Sequence, residues 1–439
     1  MPEPDSADRY PVQPPQDAVT AEADAASPPR GILRRVNTFE SFRYRDFRYA
    51  FTGSLLSNIG TWMQTMALGW VVFDLTGSSQ ALGFMNALAG LPVMVLSIFA
   101  GALADRVDRR KMLIAVQALL LVQAVMFGVL NQTGHITMAW IYALSLAGGV
   151  ASAFMSPSWQ AMTPDLVPRE SLMNAIALNS AQFNAARLVG PMVGGLVFAT
   201  LGVTEVFYVN AASFLFVIWA LSVIRPRQTV HRHDDESAWS IMAGGLTYAR
   251  THSRVAWLLT SAAMLTTFGT PYTALMPALA KNTLGLSETG YSMLLAANGL
   301  GALTSALLVA SYSKTIRRER IIRSGYVVMG AADVGLALSR SVPLTVGLLV
   351  VLGAAFLAII SSVNTTLQVY VPSEIRGRVM ALYVLAFLGM MPVGAALFGT
   401  LGERLGTPTA IAIGGAVTLA FGALLLLRPG LLCDEGQRC

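Results

Sequence analysis

The chain has 439 residues, 54% of them hydrophobic and 12% charged, with a mean hydropathy of +0.58. A soluble domain is about one quarter charged, so a soluble fold is excluded. The formal net charge of +6 does not call for a nucleic-acid partner, because the basic residues sit in short segments between apolar runs, where they orient a membrane protein.

Residues 1–38 are rich in Pro, Ala and Asp, lack the apolar stretch of a secretory signal, and read as a disordered cytoplasmic tail. Residues 41–50, SFRYRDFRYA, interleave Arg43, Arg45 and Arg48 with Phe42, Tyr44, Phe47 and Tyr49, a mix suited to the lipid headgroup region. Apolar runs long enough to cross a bilayer core of about 30 Å as helices then follow. They lie at roughly 50–75, 80–103, 112–132, 137–159, 171–200, 204–224, 255–279, 288–311, 321–339, 343–370, 377–402 and 407–427. None shows the strict alternation of a transmembrane barrel. The expected fold class is an all-α membrane protein with twelve transmembrane helices in two six-helix halves, 39–224 and 255–428. A cytoplasmic linker with room for an interfacial helix occupies 225–254, and a cytoplasmic tail occupies 429–439.

Loops on one side carry Arg106, Arg109, Arg110, Lys111, Arg169, the arginines from Arg225 to Arg254, Lys314, Arg317, Arg318, Arg320, Arg323, Arg376 and Arg378. The other side carries only Lys281, Arg340 and Arg404, so the rich side and both termini are expected to be cytoplasmic. VFATLG at 197–202 recurs as LFGTLG at 397–402, and LVPRE at 166–170 recurs as YVPSE at 370–374, which argues for a parallel repeat of six helices. Cys433 and Cys439 follow the last run, and His135, His231, His233 and His252 fall in loops or the linker, so no metal site is expected. Lys111, Lys281 and Lys314 are the only lysines and none follows glycine; no phosphate-binding loop and no use of ATP are expected.

After the second run comes GALADRVDRRK, in which Asp105 at a helix end among four cations can accept charge-assisted hydrogen bonds and Gly101 allows helices to approach. In the fifth run, NAARLVGPMVGG, Ala186, Gly190 and Gly194 recur every four residues as a face on which another backbone can pack. Pro191 cannot donate to the carbonyl of Arg187, so a bend is expected there. Ser180, Asn184, Arg187 and Pro191 share one helical face as a polar stripe. Arg187 is the only basic residue deep within a run, Arg323 and Arg378 lying at the basic ends of theirs, and burying it in lipid would cost at least about 2.5 kcal/mol, so it should face a water-filled cavity or an acid. Two uses are open: attraction of an anionic group or coupling to a protonatable acid, or a structural pair with an acid or helix carbonyls. The candidate acid partners of Arg187 are Asp333 in the ninth run, Asp74 near the outer end of the first and Glu205 at the outer start of the sixth; of these, Asp333, on depth, and Asp74 are the candidate proton sites, with Asp74 also suited to capping or anchoring at the interface. A carboxyl in a low-dielectric span can take up and release a proton, which antiport needs. Gln64 and Asn364 are the amides expected to line a cavity. Other intramembrane amides, such as Asn298 and Gln117, read as interhelical hydrogen-bonding groups.

The loop GALADRVDRRK resembles the signature of the major facilitator superfamily: Gly101, Leu103, Ala104, Asp105, Arg106, Arg109 and Arg110 match, and Asp108 stands where the family has glycine. Gly190, Pro191, Gly194 and Gly195 match the second half of the fifth-span motif of facilitator antiporters, with Ala177 and Ala186 where that motif has glycine. The segments 42–79, 166–180 and 244–252 are similar to the branch that includes the enterobactin exporter and macrolide efflux proteins. The resemblance implies a non-enzymatic, proton-coupled exporter of a siderophore or drug-like molecule in the bacterial cytoplasmic membrane, expected to be a monomer. It also implies that Gly101, Leu103, Asp105, Arg106, Arg109 and Arg110 form a gate favouring one access state. A proton symporter or importer, or a non-transporting receptor with the same fold, are the alternatives.

Overall fold

The structure is a computed structural model that describes residues 39–224, 238–312 and 317–432, with the side chains of 97–106, 238–241, 310 and 312 outside the description. The tails at 1–38 and 433–439, much of the linker, and the side chains of Gly101, Leu103, Asp105 and Arg106 therefore lie outside the described residues. The described residues from Ser41 to Leu432 form one compact unit, and no strand occurs among them.

The first six long helices are α1 (Arg45–Thr76), α2 (Ser79–Arg106), α3 (Arg109–Gln132), α4 (Met138–Leu166), α5 (Leu172–Leu201) and α6 (Val203–Val223). Their ends are set by local chemistry. Asp108, the residue that departs from the family's glycine, caps α3 by accepting from the backbone N–H of Lys111 at 3.0 Å. Gly202, at φ 111, is the single residue between α5 and α6, and its N–H closes α5 on the Phe198 carbonyl at 3.0 Å. The α5 helix runs from Leu172 to Leu201 with Pro191 inside it.

Between the two sets of spans lies a helix, α7 (Ala238–Thr251), which packs on α13 (Ser373–Val384). The expected seventh span is not one continuous helix. It consists of α8 (Ser253–Met264), a π-helical turn Leu265–Gly269, α9 (Tyr272–Ala278) and a second π turn Leu279–Thr283. Gly269, Pro271 and Pro277 explain the interruption, because the prolines remove backbone donors from the helical ladder. The remaining helices are α10 (Glu288–Tyr312), α11 (Arg318–Leu338), α12 (Val342–Tyr370), α14 (Met390–Leu405), joined to α13 by a π turn Leu385–Gly389, and α15 (Thr407–Leu427).

Among the described residues ten helices, rather than the expected twelve, are long and apolar enough to cross a membrane. The two absent ones are α1, whose hydropathy is diluted by Ser54, Ser57, Asn58, Thr61, Gln64 and Thr65, and the broken α8–α9 segment.

Packing sorts these helices into two sets. α1 lies against α5 and α6, α3 against α4 and α6, and α2 against α4; α10 lies against α12, and α11 against α12 and α15. Two seams join the sets, α5 on α10 and α2 on α14, and both are built from small residues. A Cβ on Gly195 of α5 would sit 2.1 Å from Ser292 Oγ of α10, and one on Gly83 of α2 would sit 2.5 Å from the Ala395 carbonyl oxygen of α14.

Candidate functional site

The first half of α1, the last third of α4, the first half of α5 and Gln117 of α3 enclose a cavity of about 620 Å³. All of these segments belong to the helix ends that carry Arg45, Arg109 and Arg169. Most of the lining residues carry a hydroxyl or amide, including Ser54, Ser57, Asn58, Gln160, Thr163, Asn179, Ser180 and Asn184, while Met155, Trp159, Ile176, Phe183 and the carbon of the polar side chains make the greater part of the exposed wall apolar. Ser180 and Asn184 reach it because they lie four apart on α5, and the Asn184 amide donates to the Ser180 carbonyl at 2.9 Å.

Two amides at this wall have set orientations. Gln182 Nε2 donates to Ser54 Oγ at 2.5 Å while Ser54 donates to the Phe51 carbonyl, and Gln117 Nε2 faces the Met155 sulfur at 3.8 Å. The NH₂ sides being occupied, the carbonyl oxygens of Gln117 and Gln182 are left buried with no donor among the described residues. Each such acceptor costs about 1–3 kcal/mol until a donor reaches it.

One turn beyond Asn184, Arg187 enters the junction between the two helix sets. Its Nη2 donates to Asn298 Oδ1 of α10 at 2.6 Å, and the guanidinium lies 5.8 Å from the Trp62 ring of α1 and 5.4 Å from the Phe356 ring of α12. Of the settings open to Arg187, an acid partner is not found: among the described residues it makes no ion pair, and Asp333 is not bonded to it. An amide oxygen and two aromatic faces hold the cation instead, which stabilises it without neutralising it. Asn298 uses its other end to donate to Tyr272 Oη at 2.7 Å and to the Leu349 carbonyl at 3.3 Å.

Tyr272, at the start of α9, lies within electrostatic reach of both Arg187 and Asp333. Asp333 is 2% exposed on α11, packed against Gly415 of α15, and neither carboxyl oxygen has a hydrogen-bond partner among the described residues. The hydrogen-bonded line therefore runs Arg187, Asn298, Tyr272, and Asp333 is not bonded to it.

The opposite helix ends are tied together. Lys281 Nζ meets Asp74 Oδ1 at 2.5 Å, and Trp70 stacks on Tyr291 at 5.9 Å. The Glu403 carboxylate accepts from Ser78 Oγ at 2.9 Å and from the Gln80 N–H at 3.3 Å, and the Ser79 and Thr407 hydroxyls are 3.1 Å apart. Asp74 thus sits in a surface pair, away from Arg187 and Asp333.

Of the gate residues with described side chains, Arg109 bonds the Ala161 carbonyl at 3.0 Å and Asp165 at 3.2 Å, tying α3 to α4. Arg110 bonds the Leu221 carbonyl at 2.6 Å and that of Ser222, tying α3 to the end of α6. Gln64 accepts from Asn210 Nδ2 at 2.8 Å and lines a smaller cavity of about 160 Å³ with Asn86 and Gln123. Asn364 accepts from Gln368 at 2.6 Å and is half-buried on α12. Ala186, Gly190 and Gly194 face α1: a Cβ on Gly190 would stand 2.4 Å from Trp62 Cβ. Gly195, one turn beyond Pro191, faces α10 instead.

Asn298, Tyr272, Gln182 and Asp165 are the residues that sequence reasoning did not single out for the site. Asn298 carried the general signal of a polar group in a span. Its pairing with a residue 111 positions away carried none.

The family described as transmembrane secretion effector matches residues 36–435. The multidrug efflux pump Tap of Mycolicibacterium fortuitum is 24% identical over 86% of this chain and 94% of its own length. The enterobactin exporter EntS of Salmonella choleraesuis (strain SC-B67) is 25% identical over 88% of this chain and 92% of its own length. The solved structure of a mutant of the nucleoside transporter NupG superposes with a TM-score of 0.71 at 12% identity, covering 87% of this chain and 99% of that one.

Proposed function

The chain belongs to the transmembrane secretion effector family of the major facilitator superfamily, a multi-pass transporter of the bacterial inner membrane and not an enzyme, and from this we propose that it exports a small organic molecule, siderophore or drug-like, in exchange for protons by alternating access. The observation that carries the reading is the cavity of about 620 Å³ that ends one turn short of an unneutralised arginine at the seam of the two helix sets. Cavities of this size suit drug-sized ligands.

In this reading the spans number twelve, six per half, the basic helix ends lie in the cytoplasm, and the cavity is loaded from there. The tied far ends are the closed side of this access state. Cargo enters among hydroxyls and amides, offers donors to Gln117 and Gln182, and sets an apolar or aromatic part on Trp159 and Phe183. Arg187 senses cargo or proton through Asn298 and Tyr272, and Asp333 carries the proton. The Asp105 loop, with Arg109 and Arg110, acts as the gate on the loading side.

A hydrogen bond to a charged group is worth about 1.5–3 kcal/mol, a factor of about ten or more in an equilibrium. Arg187→Ala is therefore expected to slow proton-driven uptake of an enterobactin or macrolide probe into everted vesicles about tenfold. Uptake unchanged at every probe concentration would remove Arg187 from the transport machinery. Right-side-out vesicles accumulating the probe instead would identify an importer.

A further inference from the structure

The basic-aromatic stretch that opens α1 plays no part in the cavity. On the outside of the bundle, Arg45, Arg48, Tyr49 and Thr52 of α1 and Phe216 and Trp219 of α6 line a separate open groove of about 380 Å³. The spacing explains the gathering: positions 45, 48, 49 and 52 share one helical face, and 216 and 219 are one turn apart on the neighbour.

The groove has a charged rim and an aromatic floor. The Arg45 guanidinium lies 5.5 Å from the Tyr49 ring centroid, Tyr49 packs edge-on against Trp219 at 5.6 Å, and Phe216 lies 5.3 Å from Trp219. Arg45 and Arg48 are exposed and make no ion pair with a described carboxylate. Asp46, although in the same turn, is not among the groove's lining residues. Arg45 is also the first residue of α1, whose preceding Tyr44 gives no side-chain cap, so helix N–H groups add to the positive end. Below the rim, Leu215 is 56% exposed and Trp219 49% exposed on the outer face of α6. Two unpaired guanidiniums above exposed apolar and indole surface match one chemistry: a phosphodiester headgroup with acyl chains beneath it.

We propose that this groove is a binding site for the phosphate headgroup of an anionic phospholipid, held by Arg45 and Arg48 with the glycerol and upper acyl region against Tyr49, Phe216 and Trp219. The site pins α1 to α6 at the membrane surface and is separate from the cargo cavity. It does not depend on the direction or coupling of transport.

The test uses the full chain in vesicles containing phosphatidylglycerol or phosphatidylcholine brominated on the acyl chains. Tryptophan quenching is read as the difference between the native chain and Trp219→Phe. A basic residue near an anionic surface favours binding about fivefold, so brominated phosphatidylglycerol should compete for the Trp219 signal at least about fivefold better than brominated phosphatidylcholine. Arg45→Gln/Arg48→Gln should bring that ratio to about one, and Arg45→Lys/Arg48→Lys should retain most of it. Equal quenching by the two lipids in the native chain, or a ratio unaffected by the glutamine pair, would overturn the proposal. Loss of the phosphatidylglycerol preference on adding millimolar inorganic phosphate at constant ionic strength would also overturn it, by assigning the groove to a free anion.

Discussion

Arg187 is a cation at membrane depth whose partners are an amide and two aromatic rings, so its charge stays available. This distinguishes two substitutions that a simple salt bridge would not. Arg187→Lys keeps the charge but loses the planar fork that reaches Asn298 between Trp62 and Phe356, and is expected to retain cargo binding while slowing exchange. Asn298→Ala removes the acceptor and the donor to Tyr272 together, and should slow efflux as much as Arg187→Ala does, with the double variant no worse than either. Additive losses in a double-mutant cycle would show that the two side chains act independently. The anomaly of Arg187 was legible from sequence, because a lone charge among hydrocarbon residues demands an explanation. Its solution was not, since Asn298 reads like any other intramembrane amide until α5 and α10 are brought together. The same holds for Asp333: its depth was readable, whereas its isolation from Arg187 follows from α11 facing α15 at Gly415.

At the scale of helices, the recurrence of VFATLG as LFGTLG falls on α5 and α14, one helix of each of the two seams between the packed sets. The repeat argued for two halves, and the small residues of α5 for a close-packing face, but neither said which helices would form the seams or which neighbours they would meet. It missed the breaks at Leu265–Gly269 and Leu279–Thr283, because hydropathy is blind to backbone donors lost at Pro271 and Pro277. At the α2–α14 seam a methyl on Gly83 meets the Ala395 backbone, which no rotamer change can relieve. Overpacking of this kind costs about 1–3 kcal/mol. Gly83→Ala should lower the thermal unfolding midpoint of the detergent-solubilised protein by several degrees. Gly347→Ala, on α12 with nothing within 4 Å, should leave it unchanged or raise it slightly. Equal midpoints for the two would mean that the seam is not closely packed in solution.

The tied far ends belong to the same scale and need a different expectation. The Asp74–Lys281 pair is exposed, 59% and 39% by side chain, and exposed pairs are worth about 0–1 kcal/mol, so Asp74→Asn alone should change little. Combined with Glu403→Gln, which weakens the tie to Ser78 and Gln80, it should shift the population away from the described access state. Ser180→Cys, in the wall of the 620 Å³ cavity, is the reporter: its alkylation by a membrane-impermeant thiol reagent from the basic side should fall in the double variant, measured in a chain lacking Cys433 and Cys439. Unchanged alkylation would mean that these ties do not set the access state.

For the molecule as a whole, a transporter fold with a cavity lined largely by hydroxyl- and amide-bearing residues, a cation at the seam and an isolated buried carboxyl supplies the parts that the proposed exchange requires. Composition alone was enough to place the chain in a membrane, and the loop and fifth-span motifs were enough to place it in its family. Coupling is a property of the whole cycle and is read in one experiment. Everted membrane vesicles are acidified inside by respiration, and enterobactin and a macrolide are added in turn while a pH-sensitive dye reports the interior. The account predicts that at least one compound drives protons out of vesicles bearing the native protein, and that Asp333→Asn abolishes this proton exit while the compound still equilibrates across the membrane. Compound uptake with no proton movement, proton movement in the same direction as the compound, or full coupling in Asp333→Asn would contradict it.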